Sequence, residues 1–217
     1  MTLRIILADD HAIFRDGLRA LLEKDPDMEV VAEAEDGRTA VRLAKEMSPD
    51  VVVMDISMPS LNGMEATRQI TALSPKIKVI ALSMHSDKHF VAEMLMAGAS
   101  GYVLKNCAFK EMDQAIQAVV QHGTYLSPLI AGPIIESCLK MLSRGESPHA
   151  SPLTPREREV LQLLSEGHSS KEAAFILNLN VKTVDTHRHR IMKKLNCHSL
   201  AELTKYAIRE GITSLDM

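Results

Sequence analysis

The sequence predicts an α/β domain with a doubly wound, five-stranded parallel sheet, followed by a small all-α helix-turn-helix domain. Apolar runs alternate with segments of helical periodicity through residues 1–122, which is typical of a parallel sheet covered by helices on both faces. The last third of the chain shows only helical patterns. Residues 151–217 hold 10 Lys and Arg against 8 Asp and Glu, net +2, which leaves 15 against 20, net −5, for residues 1–150.

Five apolar segments are the predicted strands, and a helical pattern follows each of them. The strands are expected at Leu3–Ala8, Glu29–Ala34, Val51–Met54, Lys78–Leu82 and Gly101–Leu104. A run of β-branched residues without polar alternation, as in the third segment, is typical of a strand buried on both faces. Right-handed crossovers then bring the carboxyl ends of the strands to one edge of the sheet.

Polar residues stand where four of these strands end. Asp9 and Asp10 follow the first strand, Asp55 the third, Ser83 the fourth and Lys105 the fifth. A single Asp in such a place commonly caps a loop. Three acids, a hydroxyl and an ammonium at corresponding positions instead indicate a functional cluster.

This set of groups suits phosphoryl transfer to a carboxylate. Three neighbouring carboxylates repel one another, so a hard cation with oxygen ligands is expected among them, and Mg²⁺ fits best. The cation and Lys105 would neutralise the phosphoryl oxygens while Asp55 attacks as the nucleophile. The acyl phosphate would offer oxygens to a donor such as the Ser83 hydroxyl, so the reaction would act as a switch.

Residues 1–122 resemble the receiver domain of two-component response regulators, which has a flavodoxin-like fold. The similarity rests on motifs at the strand ends and on the segment around the fifth strand. These motifs are Asp9-Asp10, Asp55 with Met58-Pro59 and Gly63, Ala81-Leu82-Ser83, and Ala97-Gly98-Ala99-Ser100-Gly101-Tyr102-Val103-Leu104-Lys105.

The resemblance implies a role for each acid of the cluster. Asp55 would be the phosphoacceptor, Asp10 a direct Mg²⁺ ligand, and Asp9 a ligand through water. The backbone carbonyl of Ser57 would be a further ligand. The implied metal set is therefore Asp9, Asp10, Asp55 and Ser57.

The resemblance also implies that Lys105 binds the phosphoryl group and that Ser83 and Tyr102 form the conformational switch. One position departs from the family. Receivers often place Pro after the Lys, with a cis peptide, and here Asn106 follows. Since a cis bond before another residue costs about 2.5–4 kcal/mol, this bond is expected to be either trans or held by local contacts.

A linker is expected after the receiver-like region, because the pattern changes there. Gly123–Pro128 indicates a turn, Ile130–Leu142 a short amphipathic helix, and Ser143–Pro152 a flexible connector. The expected units are thus a receiver domain at 1–122, a linker at 123–152 and a second domain at 153–217.

Three helix starts follow the linker. Thr154–Glu157 and Ser169–Glu172 are capping boxes, and Asn180 caps a third helix, Val181–Leu195. The third helix presents Val184 and Ile191 to a small core. Residues 182–194 carry five Lys and Arg against one Asp. A solvated charged face is one interpretation, but the order of capped helix, turn and basic helix favours a reader of the DNA major groove.

Residues 153–213 resemble the LuxR-type helix-turn-helix of NarL/FixJ-type response regulators. The matching residues are Leu153-Thr154-Pro155-Arg156-Glu157-Arg158-Glu159-Val160-Leu161, Gly167, Lys171-Glu172-Ala173-Ala174, Leu177, Thr183-Val184, His187, Lys193-Lys194-Leu195 and Gly211-Ile212. The resemblance implies a recognition helix at Asn180–Leu195 and a dimer contact on the last helix, Leu200–Ile208. Asp185 departs from the family, where Lys is frequent. The residues expected at the DNA are Lys182, Thr183, Asp185, Thr186, Arg188, His189, Arg190 and Lys193.

The resulting hypothesis is a transcription regulator rather than an enzyme, with self-phosphorylation and slow autodephosphorylation at Asp55 as its only chemistry. A sensor histidine kinase would phosphorylate Asp55, and the homodimer would then bind promoter DNA. Three separated cysteines and the lack of a signal peptide or an apolar membrane segment favour the cytoplasm, with no membrane partner. One alternative is an Asp-nucleophile phosphohydrolase, which usually has a second acid two residues after the nucleophile, where Ser57 stands. Another is a constitutive DNA-binding protein with a silent receiver.

Overall fold

A computed structural model describes residues 2–84, 86–144 and 152–214, with only the backbone of His89 and of residues 137–144. Its parallel sheet has the strand order β2-β1-β3-β4-β5-β6. The strands are β1 (Leu3–Ala8), β2 (Met28–Ala34), β3 (Val51–Asp55), β4 (Lys78–Ser83), β5 (Gly101–Leu104) and β6 (Tyr125–Leu126). The doubly wound fold and its five predicted strands are confirmed, and β6 is an additional strand.

Helices cover both faces of this sheet. They are α1 (Ala12–Leu22), α2 (Gly37–Met47), α3 (Gly63–Leu73), α4 (Lys88–Met96) and α5 (Ala108–His122). Alternate residues of β1 point to opposite faces: Ile5 and Leu7 pack in one cluster with α1 and α5, and Ile6 and Ala8 in another with α2 and α3. Because β1 and β3 are buried on both sides, polar groups at their ends lie at the edge of two cores.

The prediction that Gly123–Pro128 is only a turn is wrong for two of its residues. Tyr125 and Leu126 pair with β5 as a parallel edge strand. The backbone N–H of Tyr125 donates to Ser100 O (3.0 Å), and the N–H of Ser127 donates to Tyr102 O (2.9 Å). A strand of two residues is too short to show a period of its own.

The predicted linker helix, Ile130–Leu142, is present within a longer helix, α6 (Pro128–Arg144). Ile130 and Ile134 of α6 are buried in a cluster with residues of α4 and β5. Of the predicted connector, residues 145–151 lie outside the described residues.

The last described part of the chain is entirely helical. It contains α7 (Pro155–Ser165), α8 (Ser170–Ile176), α9 (Val181–Leu195) and α10 (Leu200–Arg209). Both capping boxes and the Asn180 cap are confirmed. Val184 and Ile191 are fully buried in the small core. None of the described helices is both long and apolar enough to cross a lipid bilayer.

Gly63 holds the start of α3 against the end of β3. Its N–H donates to Ile56 O (2.9 Å), and a Cβ at this position would lie 1.9 Å from the backbone oxygen of Asp55. Only glycine permits so close an approach. The loop between β3 and α3 therefore returns directly over the end of β3.

Candidate functional site

The carboxyl edge of the sheet brings together an ammonium and two buried carboxylates. Lys105 Nζ lies 2.8 Å from Asp55 Oδ2 and 2.8 Å from Asp9 Oδ2. Asp9 and Asp55 are 1% and 3% exposed. Burying such charges costs free energy, and close ion-pair geometry with further hydrogen bonds is needed to offset that cost. The predicted convergence of these strand ends is therefore observed in the structure.

The electrostatics of this cluster are shaped by burial. Burial, followed by repulsion from Asp9, raises the pKa of Asp55 to about 6, and the neighbouring Lys105 opposes this rise. Burial alone would lower the pKa of Lys105, but attraction to Asp55 and Asp9 outweighs it, so the pKa of Lys105 is raised. The cluster thus holds Lys105 charged and leaves Asp55 with an unfavourable negative charge.

Replacing Asp55 with Asn is predicted to stabilise the metal-free protein at pH 8 by about 1–3 kcal/mol. An acid whose folded pKa is raised to about 6 binds its proton more tightly when folded, so the cost of its charge decreases as pH falls through 6 and is gone only below the unfolded pKa of about 4. The stabilisation should therefore shrink at pH 5. Urea unfolding in EDTA at both pH values measures it, with Asp113→Asn, an exposed site on α5, as the control. A less stable Asp55→Asn at pH 8 would contradict this electrostatic account.

The acids at this edge have the donor chemistry of a divalent-cation site. One ligand atom from each of Asp9, Asp10, His11 and Asp55 can be chosen so that all lie within 4.8 Å of one another. The three carboxylates supply the oxygen donors that Mg²⁺ prefers. His11 Nδ1 lies 2.7 Å from Asp10 Oδ1 and 3.2 Å from Asp9 Oδ1. The residues present therefore fit Mg²⁺, and His11 is a neighbour of the acids that the sequence pattern did not single out.

The other residues predicted for this site lie close to it. The Ser57 N–H donates to Asp55 Oδ1 (3.3 Å). Tyr102 is fully buried, and its side chain is hydrogen-bonded to Ser83. Burial raises the pKa of Tyr102 to about 12. All described peptide bonds are trans, that between Lys105 and Asn106 included, which settles the alternative that the missing proline left open.

Arg15 was missed by the sequence analysis. Its side chain is only 8% exposed and forms ion pairs with Glu33 and Glu35. Its Nη1 donates to the backbone oxygen of Asp9 (2.5 Å). Arg15 thus holds the end of β1 where Asp9 begins the acid cluster. Its one signal in the sequence is a charge beside the apolar residues of α1, which is common on solvated helices.

The basic helix α9 is anchored on one side and open on the other. Lys194 pairs with Glu157 of α7 (2.6 Å). Thr186 Oγ1 donates to Lys182 O (2.8 Å), and His189 Nδ1 lies 2.8 Å from Asp185 O. All eight residues predicted at the DNA lie on α9, where Asp185 and Arg188 are half-buried and six are exposed. The exposed six are Lys182, Thr183, Thr186, His189, Arg190 and Lys193.

Comparison with protein families identifies the part of the chain that holds the acid cluster and the part that holds α9. The family described as the response regulator receiver domain matches residues 5–117, more than half of the chain. The chain is a response regulator. Its residues 151–207 match the bacterial regulatory proteins of the luxR family. The two family matches cover the acid cluster and the basic helix, respectively.

Individual relatives of this response regulator match either nearly its whole length or about two thirds of it. The response regulator UvrY of Escherichia coli K12 is 37% identical over 214 residues, covering 99% of this chain and 97% of UvrY. A crystal structure of a LuxR-family two-component response regulator from Aurantimonas sp. SI85-9A1 is 42% identical, with a TM-score of 0.61, over 64% of this chain and 99% of that one. A structure of the RcsB–DNA complex is 28% identical, with a TM-score of 0.58, over 95% and 98%.

Proposed function

We propose that this response regulator is switched by phosphorylation of Asp55 and then binds promoter DNA through α9. The observation that carries the proposal is the position of Lys105 Nζ, 2.8 Å from carboxylate oxygens of both Asp55 and Asp9. A single ammonium between two buried carboxylates is well placed to receive the charge of an incoming phosphoryl group.

The phosphoryl donor is proposed to be a sensor histidine kinase. A carboxylate oxygen of Asp55 forms a bond to phosphorus as the bond between phosphorus and the kinase histidine breaks, so the acyl phosphate forms and the imidazole leaves. Lys105 binds the phosphoryl oxygens. An open groove of about 500 Å³ beside the site, lined in part by Ile13, Phe14 and Phe109, offers apolar surface to a protein donor.

The proposed metal ligands are the carboxylates of Asp9, Asp10 and Asp55 and the backbone carbonyl of Ser57, with Asp9 acting through water. When bound, Mg²⁺ supplies charge neutralisation for the transferring phosphoryl group. On the opposite side of Asp55, the Ser83 hydroxyl is proposed to bind a phosphoryl oxygen. Its hydrogen bond to buried Tyr102 would then rearrange, which gives the conformational switch.

The proposed output is DNA binding by a homodimer that phosphorylation promotes. The exposed cations of α9 suit DNA phosphates. A single exposed α-helix also has the dimensions that fit the DNA major groove. That RcsB is solved as a complex with DNA supports the same role for this chain. We propose that residues 1–122, 123–152 and 153–217 work as receiver, linker and DNA-binding unit, with α10 as the dimer contact.

Catalysis with multiple turnovers is less well supported. A phosphohydrolase that uses an Asp nucleophile needs a general acid for the leaving group, and Ser57 occupies the position two residues after Asp55 where such enzymes place it. We therefore propose no more than self-phosphorylation and slow autodephosphorylation at Asp55.

A genome-wide map of DNA occupancy, made in cells with wild-type protein and with Asp55→Ala, tests the proposed function. Occupancy should rise at a defined set of promoters when the kinase is active, and only with the wild type. Promoter occupancy that is equal in the two strains would indicate the constitutive DNA-binding protein instead. A wild type that occupies no promoter would refute the DNA-binding function.

A further inference from the structure

A side chain of the helical part, Gln162 on α7, is buried on the loop that follows Asp55. Gln162 is 1% exposed. Its Nε2 donates to Met58 O (3.0 Å), and its Oε1 accepts from the Asn62 N–H (2.9 Å). Nε2 also donates to Glu166 Oε1 (2.7 Å). One amide thus bridges Met58 and Asn62, two residues of the loop between β3 and α3.

The same loop has further hydrogen-bond partners from the helical part of the chain, residues 152–214, which contains α7 to α10. Ser60 lies between Met58 and Asn62 and has a φ of 65°, a left-handed conformation that costs a non-glycine residue about 1–2 kcal/mol. The Ser60 N–H donates to Glu166 Oε2 (3.3 Å), and Asn62 Nδ2 donates to Ile212 O (3.1 Å). The loop that contains this strained residue therefore takes hydrogen bonds from residues outside the receiver part as well as from within it.

We propose that Gln162 is a positioning residue for the phosphorylation site, which rests on the proposed role of Asp55. By holding Met58 and Asn62, its amide orders the loop that carries Ser57, next to the Asp55 carboxylate. Without these hydrogen bonds the loop becomes ordered only when the cation binds. The conformational entropy lost in ordering the loop then reduces the affinity for the cation. Since such coupling is reciprocal, cation binding also strengthens the contact of α7 with the loop.

The test compares the full-length wild type with Gln162→Met and Gln69→Met. Met has nearly the volume of Gln, so packing is kept, but it cannot make the two hydrogen bonds to the loop or the one to Glu166. Gln69 Nε2 donates to Glu159 Oε1 of α7 (3.2 Å). Gln69→Met therefore removes a contact with α7 that does not touch the loop.

Three measurements are expected to separate Gln162→Met from both other proteins. By titration calorimetry, Mg²⁺ binding should weaken about 5-fold. Amide hydrogen exchange at Ser60 and Asn62 should accelerate. Labelling by acetyl phosphate should fall at low Mg²⁺ and recover at saturating Mg²⁺, as expected for a change in affinity rather than in the chemical step.

Each alternative result has a definite meaning. Unchanged Mg²⁺ affinity and loop exchange in Gln162→Met would overturn the proposal, and so would an equal effect of Gln69→Met, because docking in general would then be the cause. A wild type that is not labelled at Asp55 would refute the proposed function. Loop exchange would still report on Gln162 in that case.

Discussion

A chain in which Asp55 is replaced by Asn is expected to take up no phosphoryl group from acetyl phosphate and Mg²⁺. Asn lacks the anionic oxygen that attacks phosphorus, whereas the wild-type carboxylate lies 2.8 Å from Lys105 Nζ. Intact-mass measurement should show one added phosphoryl group in the wild type and none in Asp55→Asn. Lys105→Ala keeps the nucleophile but loses the cation, so its labelling should slow about 10²-fold.

Two exposed residues of α5 provide matched controls for this experiment. Asp113→Asn and Lys110→Ala make the same changes of charge away from the cluster, and both variants should be labelled at the wild-type rate. Labelling of Asp55→Asn at that rate would place the acceptor elsewhere, and peptide mapping would show whether Asp9 or Asp10 had been modified instead.

The acid cluster was predictable because topology, rather than local sequence, brings it together. Asp9, Asp55 and Lys105 are far apart along the chain, yet each ends a strand of the same parallel sheet, so their side chains meet at one edge. The helix starts were predictable for the opposite reason. The Thr154 and Ser169 capping boxes are complete within four residues each, and no distant contact is needed to form them.

The contacts that were missed depend on placement that no local pattern encodes. Gln162 stands on a polar face of α7, and nothing in its neighbours distinguishes it from a solvated residue until α7 lies on the loop of Met58 and Asn62. Arg15 likewise has the pattern of a surface charge until its guanidinium meets the backbone of Asp9. Buried polar groups of this kind are identified by their partners.

The contact between α7 and the loop after Asp55 bears on how the receiver part and the helical part of the chain are coupled. The acid cluster is built entirely within the receiver part, but the loop after Asp55 takes hydrogen bonds from α7. In the same structure six predicted DNA contacts on α9 remain exposed. The α7 contact therefore leaves that face of α9 accessible, and its hydrogen bonds reach the loop beside the proposed phosphorylation site.

Removing three positive charges from α9 is expected to abolish most DNA affinity. Lys182, Arg190 and Lys193 are exposed on this helix, and each is expected to neutralise one DNA phosphate. The triple Ala variant should bind promoter DNA about 10²-fold more weakly in gel-shift titrations at moderate salt. Because each lost phosphate contact releases about 0.9 fewer counterions, the plot of log affinity against log salt should become shallower by roughly 2.7.

The salt dependence of DNA affinity distinguishes direct contacts between α9 and DNA phosphates from long-range attraction by the overall charge of the protein. A control that replaces Lys24, Lys45 and Lys110 by Ala removes the same three charges from exposed positions of the receiver part. Long-range attraction would weaken in both variants. The number of counterions released on binding, however, decreases only when side chains that contact phosphates are removed. The control should therefore keep the wild-type slope. An equal loss of slope in both variants would mean that α9 is a solvated charged face and that DNA is bound by another surface.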